Sequence, residues 1–250
     1  MATTRRGAVT VAGDIVGELS YGTYDDLLEA AFCGTWTSEV LVTGTTRRTF
    51  AILKRNLDIG LDTIYRGCEV NQLKLSCPLQ EKITATFSVI GKSEEAYTVP
   101  VGATFGTKTI TDYMTTFEGS LDIDAMGFNA ATQLDITLDN AMAQKYSLFN
   151  RAAYANKIGM IGVSGSLSAY IEDAALKTRY RNEVDTVLAV TAVDGTVNPN
   201  SYVLTLPRSR FTSATDSYSG DDFGIQQINF TGLLDATAAT ELKLERIAAP

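Results

Sequence analysis

Three short strand-like runs follow one another between residues 47 and 92 and leave this 250-residue chain little choice of fold class. The runs cover residues 49–55, 69–76 and 83–90, and polar segments with Gly or Pro separate them. The middle run sets single apolar side chains among polar ones, and the last run is rich in β-branched residues. Such runs between turn residues are typical of short strands. The segment therefore predicts an all-β block.

Most of the remaining chain has the same character. Further strand-like runs lie at residues 117–124, 133–139, 160–170, 187–193, 202–206, 225–233 and 242–247. Residues 24–32 and 172–181 instead predict short helices, each with acidic side chains near its start. Residues 10–20 are expected to form a strand or an extended arm, and residues 93–116 a long loop. We therefore predict a mainly β protein of about ten strands with two short helices.

The composition removes several classes of function. The chain contains no histidine, which is the commonest general base and transition-metal ligand. Its formal net charge of −8 argues against clamping nucleic-acid phosphates, because that requires clustered Lys and Arg. Cys33, Cys68 and Cys77 show no metal-ligand spacing and are expected to be free thiols. No apolar run reaches the length of a membrane span, so we expect a protein kept in the cytoplasm until it is assembled.

No motif carries recognisable chemistry. The segment from Asp122 to Gln133 begins like a calcium loop, but Met126 occupies a ligand position and the last position lacks a carboxylate. Ser164 lies between glycines, yet the chain has no histidine to activate it. We therefore predict no catalytic residue, no cofactor and no metal site, and we expect the protein not to be an enzyme.

Acidic side chains recur on the polar sides of two successive predicted strands. They are Asp122 and Asp124 on the first, and Asp135 and Asp139 on the second. If both polar sides bound one cavity, its wall would be acidic, whereas an ordinary solvated surface is the alternative.

One order of elements occurs twice along the chain. The first predicted helix precedes a strand ending at Arg55 and then a strand led by Gly67. The second helix precedes a strand followed by Arg208 and then a strand led by Gly224. Internal duplication and chance recurrence both account for this order. The chain is therefore expected to be one unit over residues 1–250, or two halves of about 1–105 and 106–250.

An ordered set of motifs resembles the tail tube protein family of long-tailed bacteriophages and prophages. The motifs are YDDLLEAAFCGTW, FAILKRNLDIG, YRGCEVNQLKLSC and ITATFSVIGK, with LPRSRF further along. The resemblance implies a β-sandwich or barrel-like subunit whose inner strands join those of neighbouring subunits in one continuous β-barrel. It places the inter-subunit strands in the first all-β block, with these candidate residues: Phe50, Ile52, Lys54, Arg55, Val70, Leu73, Leu75 and Phe87.

The resemblance also implies a structural role in the virion. Subunits of that family stack as rings into a hollow tail tube, through which DNA passes into the host cell without specific binding. A hexameric ring is expected, or a pseudo-hexameric trimer if the chain holds two units. The implied partners are further copies, the tail terminator, the tape measure protein and distal tail proteins, with assembly in the host cytoplasm and no membrane. The alternative function is a β-rich tail tip or adhesion component of the same particle.

Overall fold

A computed structural model describes residues 7–107, 109–218 and 223–249, and within them the chain is mainly β. The first eight strands are β1 (Val11–Glu18), β2 (Val40–Val42), β3 (Phe50–Asn56), β4 (Leu61–Pro78), β5 (Thr84–Gly91), β6 (Ser93–Tyr97), β7 (Thr115–Ile123) and β8 (Met126–Gly127). The next eight are β9 (Ala131–Asp139), β10 (Ala143–Lys145), β11 (Ala155–Lys157), β12 (Gly162–Tyr170), β13 (Thr186–Val193), β14 (Ser201–Ser217), β15 (Ile225–Gly232) and β16 (Lys243–Ile247). The helices are α1 (Asp25–Phe32) and α2 (Ala175–Arg181). The predicted fold class is confirmed.

One antiparallel sheet contains all but two of these strands. Its main path runs β1-β5-β4-β9-β12-β15-β14-β13-β7-β8. Strands β3 and β6 flank the first part of β4, and β16 joins the first part of β14 to β2. The short strands β10 and β11 form a separate hairpin.

The two longest strands, β4 and β14, each serve two regions of the sheet. The first part of β4 pairs with β3 and β6, and its second part pairs with β5 and β9. The first part of β14 pairs with β13 and β16, and its second part pairs with β15. The β4–β5 register shifts between Val70 and Gln72, and the β14–β15 register between Phe211 and Ser213. Such bulges bend a strand and increase its twist.

The core lies on one side of the strands between β5 and β15. Alternate side chains on these strands point to this side and are buried, including Leu73, Phe87, Leu138, Leu167 and Phe230. Leu28 and Phe32 of α1 belong to the same core cluster. Because successive side chains of a strand point to opposite faces, the other side of these strands remains polar.

A cluster at the start of α1 ties the C-terminal strands to the N-terminal part of the chain. The Tyr202 hydroxyl of β14 donates a 2.6 Å hydrogen bond to Asp25, whose carboxylate also forms an ion pair with Arg246 of β16. The Arg246 guanidinium lies 4.6 Å from the centre of the Trp36 ring. This geometry is favourable for a cation–π contact.

The predictions differ from the structure mainly in three places, and the first is the strand predicted over 69–76, which is only part of β4. Residues 93–116 are not one loop, since β6 occupies Ser93–Tyr97 and β7 begins at Thr115. The segment predicted as a strand over 202–206 is only the start of β14, which continues to Ser217. Both helices and the strand at residues 83–90 lie close to their predicted positions.

Candidate assembly surface

Seven neighbouring strands, β1, β5, β4, β9, β12, β15 and β14, present one continuous polar side, which we call the polar face. One residue per strand, in sheet order, defines it: Asp14, Thr86, Lys74, Asp135, Ser166, Asn229 and Thr215. The pairings Asp135–Ser166 and Ser166–Asn229 show that the polar alternation runs in register across neighbouring strands. The face is therefore a property of the sheet, not of any single strand.

The polar face is concave near its middle. Lys74, Asp135, Thr137, Ser164 and Asn229 are among the residues that line an open depression of about 410 Å³. Hydroxyl and amide side chains make up most of this lining, and they hydrogen-bond water without carrying a net charge.

The polar face carries a small excess of negative charge. Its carboxylates are Asp14, Glu18, Asp135 and Asp139, and its cations are Lys74 and Arg210. Lys82, just before β5, forms an ion pair with Glu18 and reduces the excess. Asp135 accepts a 2.5 Å hydrogen bond from the Ser76 hydroxyl and lies 3.7 Å from the Lys74 ammonium. Asp14 accepts a 2.6 Å bond from the Ser88 hydroxyl. These bonds fix both carboxylates among neighbouring hydroxyl groups.

The structure brings two of the four predicted acidic residues onto the polar face. Asp135 and Asp139 lie there on β9, whereas Asp122 lies on β7, beyond β14 and β13 in the sheet. Asp124 follows β7, forms an ion pair with Arg179 and accepts a bond from a backbone N–H of β13. Asp124 therefore has a local structural role.

Two acidic residues of the polar face were missed by sequence reasoning. Asp14 and Glu18 lie on β1, where the period-2 sequence Ala12, Asp14, Val16, Glu18 places them on one side. This alternation was the available signal, but the many glycine and small residues nearby left the segment open as a strand or an arm.

The candidate inter-subunit residues separate into two groups. Phe50, Ile52, Lys54 and Arg55 lie on β3, whose ladder partner among the described residues is β4 alone. The members of the second group are buried on strands flanked on both sides by strands of the same chain: Val70, Leu73, Leu75 and Phe87. Their side chains build the core of the subunit.

Two edges of the seven-strand region have no ladder partner within the described parts of the chain. One is the outer edge of β1, and the other is the edge of β14 from Arg210 to Ser217, beyond the end of its pairing with β13. Strand β1 contains no Pro or Lys, and its ladder with β5 runs without a bulge. Natural sheets use Pro, Lys or a bulge in an edge strand to block further pairing there. Strand β1 thus lacks these devices, and its charged residues are Asp14 and Glu18.

The cysteines are free thiols in the structure and have little reactivity. Burial raises the pKa of the Cys33 and Cys68 thiols, and burial with the nearby Asp135 carboxylate raises the pKa of Cys77 to about 12. Because the thiolate is the nucleophile, thiols with raised pKa values react slowly near neutral pH. Within the described residues, no His, Cys, Asp or Glu cluster is suited to hold a metal ion.

The fold and the polar face define a structural β protein with open strand edges. A family model described as phage tail tube protein matches residues 1–232, and the chain belongs to this family. It is therefore a structural component of a phage tail, in a family of tube proteins rather than enzymes. No curated protein matches the chain. None of the described helices has the length and apolar character needed to cross a membrane.

Proposed function

We propose that copies of this chain form rings that stack into the hollow tail tube, with the polar face lining the channel for DNA. The observation that supports this most strongly is the seven-strand polar face, which has an open depression near its middle and two open strand edges. Pairing of such edges between subunits would extend the seven strands into one closed wall, which removes the exposed edges altogether. In this arrangement the core and the helices lie outside the channel.

The chemistry of the polar face suits passage of DNA without binding. A wall that bound phosphates would need clustered Lys and Arg, and salt-dependent attraction would then oppose movement. Lys74 and Arg210 are instead outnumbered by carboxylates, and Arg210 also forms an ion pair with Asp185. A weakly negative surface rich in hydroxyl groups repels phosphates and stays hydrated.

We further propose that each chain contributes two tube-like units, close to the halves 1–105 and 106–250. The same order of strands and helix occurs twice, first as β1, α1, β3, β4, β5, β6 and then as β12, α2, β13, β14, β15, β16. The two series also share their strand pairings. Strand β4 pairs with β3, β5 and β6, and β14 pairs with the corresponding strands β13, β15 and β16. Three such chains would give a ring of six units, so a trimer fits better than a hexamer.

Stacking of rings is supported by large apolar side chains exposed outside the polar face. Leu57 and Ile59 lie at the tip of the β3–β4 hairpin, and Val101, Phe105 and Ile110 lie between β6 and β7. The Arg55 guanidinium lies 5.2 Å from the centre of the Phe105 ring, so the hairpin and this segment touch. Exposed apolar groups of this kind mark protein–protein contacts. The tail terminator, the tape measure protein and distal tail proteins remain the proposed further partners.

Electron microscopy of the purified protein tests the proposal directly. We expect tubes or stacked rings with a central hole and three-fold symmetry, formed in the host cytoplasm and in concentrated solution. Particles that stay monomeric at high concentration, and do not assemble with a tail extract, would refute the proposed function.

The role of the polar face has a separate test. Replacing Asp135 and Asp139 by lysine should slow DNA release from particles, because the wall then attracts phosphates. The Asp135→Asn/Asp139→Asn variant removes the charge without adding length and should have a smaller effect. A double Glu94→Lys/Glu172→Lys variant makes the same change in net charge at exposed positions outside the face. If the Asp135→Lys/Asp139→Lys and Glu94→Lys/Glu172→Lys variants release DNA at equal rates, the proposed lining of the channel is contradicted.

A further inference from the structure

We infer that the ring closes through a parallel junction between the Arg210–Ser217 edge of β14 in one copy and β1 of the next copy. This inference rests on the proposed ring and adds which two strands meet and in which direction they run. The other contacts between strands of the polar face are antiparallel.

The chain itself contains a precedent for joining one unit to the next. Strand β9, which precedes the second series, pairs with β12 over nearly the full length of both strands, from Gly162–Asp139 to Ala169–Ala131. Strand β12 is the counterpart of β1, since β1 pairs with β5 and β12 pairs with β15 in the same place in the two series. The outer edge of β12 thus accepts the preceding unit. By the same geometry, the open outer edge of β1 is the place for the preceding copy.

The second half also indicates which strand edge of the preceding copy takes part in the junction. In the first half, the later part of β4 is covered by β5 on one side and by β9 on the other. In the second half, the matching part of β14 is covered by β15 on one side only, within the described residues. The bare edge of β14 therefore corresponds to the edge of β4 that β9 covers, and it is the edge left for the next copy.

The two edges match in length and in the alternation of their side chains. Strand β1 has 8 residues, and the open part of β14 extends from Arg210 to Ser217. On the core side, β1 contributes Ile15 and β14 contributes Phe211, so apolar groups would continue across the junction. On the polar face, β14 contributes Ser213 and Thr215 and β1 contributes Asp14, so polar groups would also continue across the junction.

The direction of the junction follows from counting ladders. The path from β1 to β14 crosses six ladders, and each one is antiparallel. An even number of reversals leaves β1 and this part of β14 pointing the same way. Rotation about the ring axis preserves that direction, so β1 of the next copy must meet β14 in parallel. Hydrogen bonds of a parallel pair are evenly spaced but slanted.

Disulfide cross-linking of assembled tubes tests both the strands and their direction. Each tested chain carries one cysteine on β1, at Ala12 or Val16, and one on β14, at Ser213, Thr215 or Ser217. A disulfide needs Cα atoms within about 7 Å, and a strand rises about 3.3 Å per residue. We expect covalent oligomers on oxidation, and the β14 position that links best should move toward Ser217 when the β1 cysteine moves from Ala12 to Val16.

The controls separate this inference from the proposed function. The unmodified chain should give no cross-link, because Cys33 and Cys68 are buried and half-buried Cys77 lies on interior β4. A cysteine at Ser166 of interior β12 should give none with the β14 positions. If tubes form but these edges do not cross-link, or the best position moves toward Ser213, the inference is overturned while the tube function stands. Absence of tubes from the unmodified chain would instead refute the proposed function. A density map of unmodified tubes reads the strand direction independently of any variant.

Discussion

Gly165 offers a direct test of the sheet around β12, because it lies where β9 and β15 both approach this strand. A Cβ atom added to Gly165 would lie 2.3 Å from Cζ of the Phe230 ring and 2.4 Å from the backbone oxygen of Asp135. Both distances are far inside van der Waals contact. The Phe230 ring is buried in the core, and the oxygen belongs to the backbone of β9, so neither atom can move away easily.

The expected cost of Gly165→Ala follows from this overlap. Overpacking of a well-packed core costs about 1–3 kcal/mol, and restricting the unfolded chain by replacing glycine with alanine returns about 0.4–1 kcal/mol. We therefore expect a net loss of about 1–2 kcal/mol in the free energy of unfolding. For a chain of this size that corresponds to a fall of about 2–8 °C in the unfolding temperature.

Gly162→Ala is the matched control on the same strand. No heavy atom lies within 4 Å of a Cβ built on Gly162, and its backbone is outside the left-handed region. The same change in composition should therefore leave stability unchanged or raise it by about 0.4–1 kcal/mol. Thermal unfolding of the unassembled subunit, with urea unfolding as a second measure, compares the two variants. Equal unfolding temperatures for both would refute the close approach of β9 and β15 to Gly165.

Two further predictions concern buried groups outside the polar face. Arg47→Met should lower the free energy of unfolding by about 3 kcal/mol, because it leaves the Glu69 carboxylate buried without its ion-pair partner. This is the lower end of the range for a buried pair, since the Glu69 side chain is 3% exposed but that of Arg47 is 40% exposed. The double variant Arg47→Met/Glu69→Met should regain most of this loss in urea unfolding. If the single and double variants lose equal stability, the broken ion pair is not the cause of the loss. Iodoacetamide at pH 8 should label Cys33, Cys68 and Cys77 much more slowly in the native protein than after unfolding, because burial raises the pKa of each thiol. Rapid native labelling of Cys77, read by mass spectrometry, would contradict its raised pKa.

Elements with strong local signals were predictable from the sequence. Helix α1 combines an acidic first turn with apolar residues at helical spacing, and β5 alternates buried and half-buried side chains along its whole length. Strand β6 carries no such signal, because its sequence SEEAY is polar or small and pairs with the partly exposed start of β4. The later part of β14 was missed for a related reason, since its side chains are mostly polar and its apolar neighbours come from distant segments.

The candidate site depended on strand order, which local patterns do not determine. The strands that carry Asp122 and Asp135 show the same kind of alternation, yet β7 pairs with β13 while β9 lies between β4 and β12. The same reasoning explains the buried candidates on β4 and β5. Their sequence predicts strands with one apolar side, but only the ladders show that both edges are already occupied within the chain.

The open edges and the polar face also bear on how subunits avoid pairing too early. Strand β1 has no Pro, Lys or bulge to block pairing, and Asp14 and Glu18 are the charged residues on this edge. Parallel pairing is slightly less stable per residue than antiparallel pairing. A single β14–β1 contact between two free subunits would therefore be weak, and a closed ring would form all its junctions together. Because closure leaves no subunit with a free edge at this sheet, the closed ring is favoured over open chains of subunits.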